Sequence, residues 1–178
     1  LSLLSDIISD AYTDSLDNDK EDYYEDISDY DISGNTKGRI EKSNNRASVF
    51  GDVNVGGIVG SMAIEYDFDP EDDIPKSGDK SIKFTYKTKC IVRHCTNDAE
   101  ITSKKNYSGG ICGRMDLGSI LSCDNYGKVI SKDGGYIGGI AGKSDTIIRN
   151  SASKCTLSGN DYVGGIAGKS ESSIRKSF

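Results

Sequence analysis

The chain has 178 residues, with 21 glycines, two prolines, no tryptophan and a formal charge of −6, a length that suits one ordinary domain or one rod of repeats. The charge is unevenly placed: residues 1–34 hold eleven acidic residues against one lysine, a sum of −10 that leaves +4 on residues 35–178, too weak and scattered to mark a nucleic-acid surface. No apolar run is long enough to span a membrane, and Asp6 and Asp10 interrupt "LSLLSDIISD", so that stretch does not read as a signal peptide.

Taken in chain order, residues 1–34 come first and stand apart. Leu1, Leu4, Ile8, Ala11 and Tyr12 fall near helical spacing over residues 1–16, ahead of the acidic, tyrosine-rich "DNDKEDYYEDISDYD". The spacing predicts an acidic N-terminal cap, a helix covering the open end of a sheet stack. A solvated acidic linker is the plainer alternative.

From residue 35 onward the chain repeats itself, the feature to settle before any other. Four phrases align on a double glycine: "NVGGIVG" (Asn54–Gly60), "YSGGICG" (Tyr107–Gly113), "YIGGIAG" (Tyr136–Gly142) and "YVGGIAG" (Tyr162–Gly168), with glycine pairs separated by 53, 29 and 26 residues. Upstream the match continues in columns. An apolar residue at Ile40, Val92, Ile120 or Ile148 is followed three later by Ser43, Cys95, Cys123 or Ser151, then by a small residue at Ala47, Ala99, Gly127 or Cys155, then by Val49, Ile101, Val129 or Leu157. A strand period of two puts the small and branched residues of each copy on one face. The glycines mark a corner that needs either positive φ or close packing between turns. One copy cannot bury its apolar face, whereas a stack can.

The first interval of 53 is close to two periods, so residues 61–88 are either a degenerate rung or an insertion. Both prolines, Pro70 and Pro75, lie there, between the alternating runs "AIEYDF" and "IKFTYKT". This reads as a hairpin-like insertion with an acidic tip. The C-terminal "ESSIRKSF" stops inside a repeat and the chain does not start with methionine, which is the expectation for a piece of a longer protein, truncated mid-repeat.

"YIGGIAGKSDTIIRNSASKCTLSGNDYVGGIAGKS" resembles tandem GLUG repeats, with Ile in place of the usual Leu after the glycines; the resemblance covers about residues 38–60 and 89–178. It implies an all-β fold, a right-handed parallel β-helix (β-solenoid) of about four rungs ending near Gly60, Gly113, Gly142 and Gly168. It also implies an extracellular setting, on a bacterial cell surface or secreted, as in adhesin-like proteins and the non-catalytic parts of immunoglobulin A-cleaving metalloproteases. The family supplies no catalytic residue to carry over.

The residues themselves offer little chemistry. "GKS" at Gly142–Ser144 and Gly168–Ser170 lacks the earlier glycine of a phosphate loop, since Ile137 and Val163 stand where it belongs. Cys90, His94 and Cys95 have metal-ligand types but no fourth partner in view, so no metal and no cofactor is expected. Cys95 and Cys123 are read as unbridged buried thiols in neighbouring turns, and Cys112 as a small core residue. The acids Asp67, Asp69, Glu71, Asp72 and Asp73 lack the fixed glycine and closing Glu of a calcium loop. No outward acidic ladder of the kind a polysaccharide-cleaving β-helix needs builds up.

What remains is a polar stripe of Asn44, Asn45, Asn97, Asp98, Asp124, Asn125 and Tyr126, a candidate binding surface for a host or matrix protein or a glycan, with turn chemistry as the simpler cause. The expected function is non-enzymatic: a structural spacer and adhesive surface, with no nucleic-acid partner and no direct membrane insertion. An accessory domain of a secreted hydrolase such as a metalloprotease is the alternative, ahead of a glycan-active β-helix.

Overall fold

The computed structural model describes residues 24–29, 36–64 and 86–178, and among these there is no helix. The chain divides into two compact units, Ser28–Glu65 with Lys89–Phe178, and Leu1–Ile27 with Tyr66–Thr88. The helix expected over residues 1–16 and the acidic tip at 67–73 lie outside the described residues.

The larger unit is a parallel β-solenoid. Its first coil consists of five short strands, Arg39–Glu41, Asn44–Asn45, Val49–Gly51, Val55–Gly56 and Val59–Met62. The second repeats them at Ile91–Arg93, Thr96–Asn97, Ile101–Ser103, Ser108–Gly109 and Cys112–Met115. The third follows at Ser119–Leu121, Asp124–Asn125, Val129–Ser131, Gly135–Gly138 and Ala141–Ser144. The fourth is Ile147–Arg149, Ala152–Ser153, Leu157–Ser158, Asp161–Gly164 and Ala167–Ser170, and Ile174–Arg175 opens a fifth. Like strands of successive coils pair in parallel to build five sheets running along the coil axis, with about 4.8 Å between neighbours.

No coil stands between the first and the second. Ile40 pairs with Val92 and Val59 with Cys112, so the second coil lies directly on the first. Met62 closes the first coil's last strand, and the chain departs only after it. In the other unit Tyr86–Thr88 pairs with Tyr24–Asp26 in parallel, and the Ile27 amide donates to the Thr88 carbonyl at 2.9 Å. The described end of the insertion thus pairs with a distant N-terminal strand; the tip of the expected hairpin-like insertion and most of its first run lie outside the described residues. Ser28 and Asp29 belong to the solenoid unit, where Ser28 Oγ accepts from the Cys90 amide at 2.9 Å and Asp29 accepts from the Ser119 hydroxyl.

The Ser/Cys column has a single chemical purpose. One residue before it, Lys42, His94, Ser122, Asn150 and Lys176 all have φ between 50° and 53°, the left-handed region that turns the chain from the first sheet to the second. The following hydroxyl or thiol donates back to the carbonyl two residues upstream: Ser43 to Glu41 at 3.3 Å, Cys95 to Arg93 at 3.3 Å, Cys123 to Leu121 at 3.5 Å, Ser151 to Arg149 at 3.0 Å and Ser177 to Arg175 at 3.1 Å. Serine and cysteine alternate here because each is a small side chain with one X–H donor.

The interior has two apolar lobes. Val92, Ile120, Ile148, Ile111, Ile140, Met62 and Met115 fill one, and Val55, Ile101, Val129 and Ile137 fill the other. Between them lies a waist where the second strand meets the double-glycine turn. A Cβ on Gly57 would come within 2.7 Å of Asn97, and one on Gly110 would strike both Asn125 and the Gly139 carbonyl. No glycine of the four pairs has positive φ, so of the two reasons expected for them close packing is the operative one at every position but Gly165, where an added Cβ would meet nothing.

Candidate binding surface

The polar stripe read from the sequence divides between inside and outside. Asn97 and Asn125 are 0% exposed, and Asn45, in the end coil, is half-buried; these three form an interior ladder. Asn45 Nδ2 donates to Asn97 Oδ1 at 2.7 Å and Asn97 Nδ2 to Asn125 Oδ1 at 2.8 Å. Each side-chain carbonyl also accepts the amide two residues on, from Ala47 at 3.1 Å, Ala99 at 3.4 Å and Gly127 at 3.1 Å. As binding residues these three are therefore corrected: asparagine reads as a turn residue, yet here its amide satisfies backbone groups at the waist that no apolar side chain could. In the fourth coil Ser153 stands in the asparagine column, and Asn125 Nδ2 is left buried without a partner.

The outer half of the stripe, Asn44, Asp98, Asp124 and Tyr126, remains at the surface. Asn44 Nδ2 donates to Asp98 Oδ2 at 3.1 Å, and Asp124 Oδ1 accepts the Ala152 amide at 3.2 Å. Tyr126 stands alone on this face, with Arg46, Asp98 and Lys154 in its column. The column changes chemical type at every coil.

A second outward surface is more regular. Tyr107, Tyr136 and Tyr162 stack, with ring centroids 5.2 Å apart at 24° and 4.6 Å apart at 2°. All three have left-handed backbone, with φ of 66°, 60° and 52°, in a column whose first member is Asn54 at 54°. That region costs a bulky residue about 1–2 kcal/mol, while each ring pair contributes about 0.5–1.5 kcal/mol. Two stacks supply about 1–3 kcal/mol against about 3–6 kcal/mol for three strained residues, so ring stacking alone does not account for tyrosine in this column. The sequence signal is the repeated first letter of "YSGG", "YIGG" and "YVGG".

Beside the rings runs a double row of charge. Arg114, Lys143 and Lys169 occupy one column of the fifth sheet, and Asp116, Asp145 and Glu171 follow two residues later. Arg114 meets Asp116 at 2.6 Å, Lys143 meets Asp145 at 2.6 Å and Asp116 at 3.7 Å, and Lys169 meets Glu171 at 2.5 Å. Hydrogen bonding to Asp116 raises the Arg114 pKa, and the bond between Lys169 and Glu171 raises the lysine and lowers the acid. These shifts favour the charged forms of Arg114, Lys169 and Glu171. The Arg114 guanidinium lies 6.0 Å from the Tyr107 ring centroid, which joins the two rows.

The remaining candidates carry structure, not chemistry. Ser144, the serine of the first "GKS", is buried and donates to the Thr146 carbonyl at 2.8 Å, while Lys143 points outward into the charge row. None of the five cysteines is in a disulfide. Burial pushes the Cys123 thiol up to about 12 and that of Cys112 higher still, which removes both as nucleophiles. Among the described residues no group of three or more His, Cys, Asp and Glu side chains could hold a metal ion, and no helix is long and apolar enough to cross a membrane. No family model, curated protein or solved structure matches the chain.

Proposed function

We propose that this chain is a non-enzymatic repeat segment of a bacterial cell-surface or secreted protein, serving as a rigid spacer that carries an adhesive surface. The observation behind it is that the inward and corner columns of the repeat have backbone and packing roles. The Ser/Cys column bonds carbonyls, the asparagines hold the waist, and the glycines let chain segments meet. Repetition used this way builds length and stiffness, since each coil contacts only its neighbours. The Cys112 and Cys123 thiols are buried and protonated, and Arg114, Lys143 and Lys169 are each held by an acid, an arrangement that supports a structural role for these groups.

The bacterial and extracellular parts of the proposal rest on the resemblance to GLUG repeats. Antibodies raised against residues 36–178 should label intact cells of the source organism; labelling only after permeabilisation would sink the reading. Release of reducing ends or peptide fragments by the purified chain would replace it with an enzymatic one.

A further inference from the structure

The tyrosine column carries more backbone strain than its stacking offsets, and stacking by itself does not call for tyrosine. A phenylalanine ring stacks as well and fills the same space. What tyrosine adds is the phenol, which gives up an electron and its O–H proton far more readily than a bare ring does. The radical left behind has its spin on the oxygen and on the two ring carbons ortho to it, in π orbitals that project from the ring faces. Two such radicals join where faces meet.

The coils bring such faces together. Tyr136 and Tyr162 lie 26 residues apart in the chain, yet their rings are parallel to within 2° with centroids 4.6 Å apart. Their backbones are fixed on both sides by register, Gly135 with Asp161 and Ile137 with Val163, so the two phenols are held together as in an intramolecular reaction. Tyr107 is less well placed, at 5.2 Å and 24° from Tyr136, and the Arg114 guanidinium 6.0 Å from its ring centroid opposes removal of an electron.

We propose that Tyr136 and Tyr162 form a site of oxidative modification, a dityrosine staple that joins the third coil to the fourth, with a peroxide as co-reactant. One hydrogen peroxide, acting through a haem peroxidase, takes one electron and one proton from each phenol and leaves as two waters. The two phenoxyl radicals form a single carbon–carbon bond between ortho positions. Each joined carbon then gives up its proton while the oxygen of the same ring takes one, so both phenols are restored and the protein has lost two hydrogen atoms. The left-handed backbone at both residues is then kept because a strained position persists where it serves a site. The proposal deepens the spacer reading, since the bond ties neighbouring coils, and it rests on that reading for a setting in which the chain meets peroxide.

The test is brief treatment of the whole purified chain, kept dilute, with a haem peroxidase and hydrogen peroxide, followed by tryptic mapping. Trypsin places Tyr107, Tyr126, Tyr136 and Tyr162 on separate peptides. The expected product is a monomer that gains dityrosine fluorescence, loses two hydrogens in mass and yields peptide 133–143 linked to peptide 155–169. Tyr162→Phe keeps a ring in the stack and should abolish that link, while Tyr126→Phe should leave it intact. In urea the ten tyrosines compete without the stack, and the link should lose its dominance. The proposal is overturned by a chain that does not couple, by coupling confined to other tyrosines or to covalent dimers, or by a link between Tyr136 and Tyr162 that dominates equally in urea. Labelled intact cells together with an uncoupled chain would overturn the staple and leave the spacer reading standing.

Discussion

Two turns of the same coil behave differently under repetition. The glycine turn between the fourth and fifth strands has two residues in every copy, from Gly56 to Val59, Gly109 to Cys112, Gly138 to Ala141 and Gly164 to Ala167. The corner between the third and fourth strands changes length. Three residues separate Gly51 from Val55, four separate Ser103 from Ser108, and five separate Ser131 from Ile137. At the first turn, in the first three coils, the chain is pressed by backbone of its own and of the next coil, so even a methyl has nowhere to go. At the second, Asp52, Lys104, Lys105, Lys132 and Asp133 face solvent, and extra residues cost only loop entropy.

The contrast can be broken from its rigid side first. Gly110→Ala should destabilise by about 3 kcal/mol or more, because the added carbon strikes the Gly139 carbonyl and the Asn125 amide and neither can retreat. A thermal midpoint within two or three degrees of the parent would show the turn to be more compliant than its contacts. Asn97→Ala should cost about 2–3 kcal/mol by denaturant unfolding, since it strands Asn45, Asn125 and the Ala99 carbonyl together. Ser153→Asn should act in the opposite direction by about 1 kcal/mol, by giving the orphaned Asn125 Nδ2 an acceptor and carrying the ladder into the fourth coil. The smallest effect belongs to the loose corner: a glycine inserted between Asn160 and Asp161 lengthens the fourth coil's corner toward that of the second, and should shift stability by less than about 1 kcal/mol. If that insertion proved as damaging as Gly110→Ala, solvent exposure would not be what separates the two turns.

Much of the fold was legible because its columns repeat. The inward branched residues, the small Ala99 and Gly127, and the buried Cys95, Cys112 and Cys123 all stand where strand alternation puts them. Legibility failed where one residue type serves two environments. Asn97 and Asp98 are adjacent and equally polar, and only the coil decides that the first seals the waist while the second meets water. The left-handed tyrosines were hidden for a related reason, since nothing local favours φ of 60° at Tyr136 and its support comes from rings 29 residues before it and 26 after. The pairing of Tyr24–Asp26 with Tyr86–Thr88 spans too much chain for any periodicity to reveal it.

The departure after Met62 has a consequence for how this molecule can change over generations. Ser144 and Ile147 are joined by two residues and Met115 and Ser119 by three, whereas Met62 and Ile91 are joined by 28, and all three joins deliver the chain to the same register. A join that tolerates such a range is a port: lineages can exchange, lengthen or discard whatever hangs there without renegotiating a single coil, so novelty should collect at that position while the stack beneath it stays conservative.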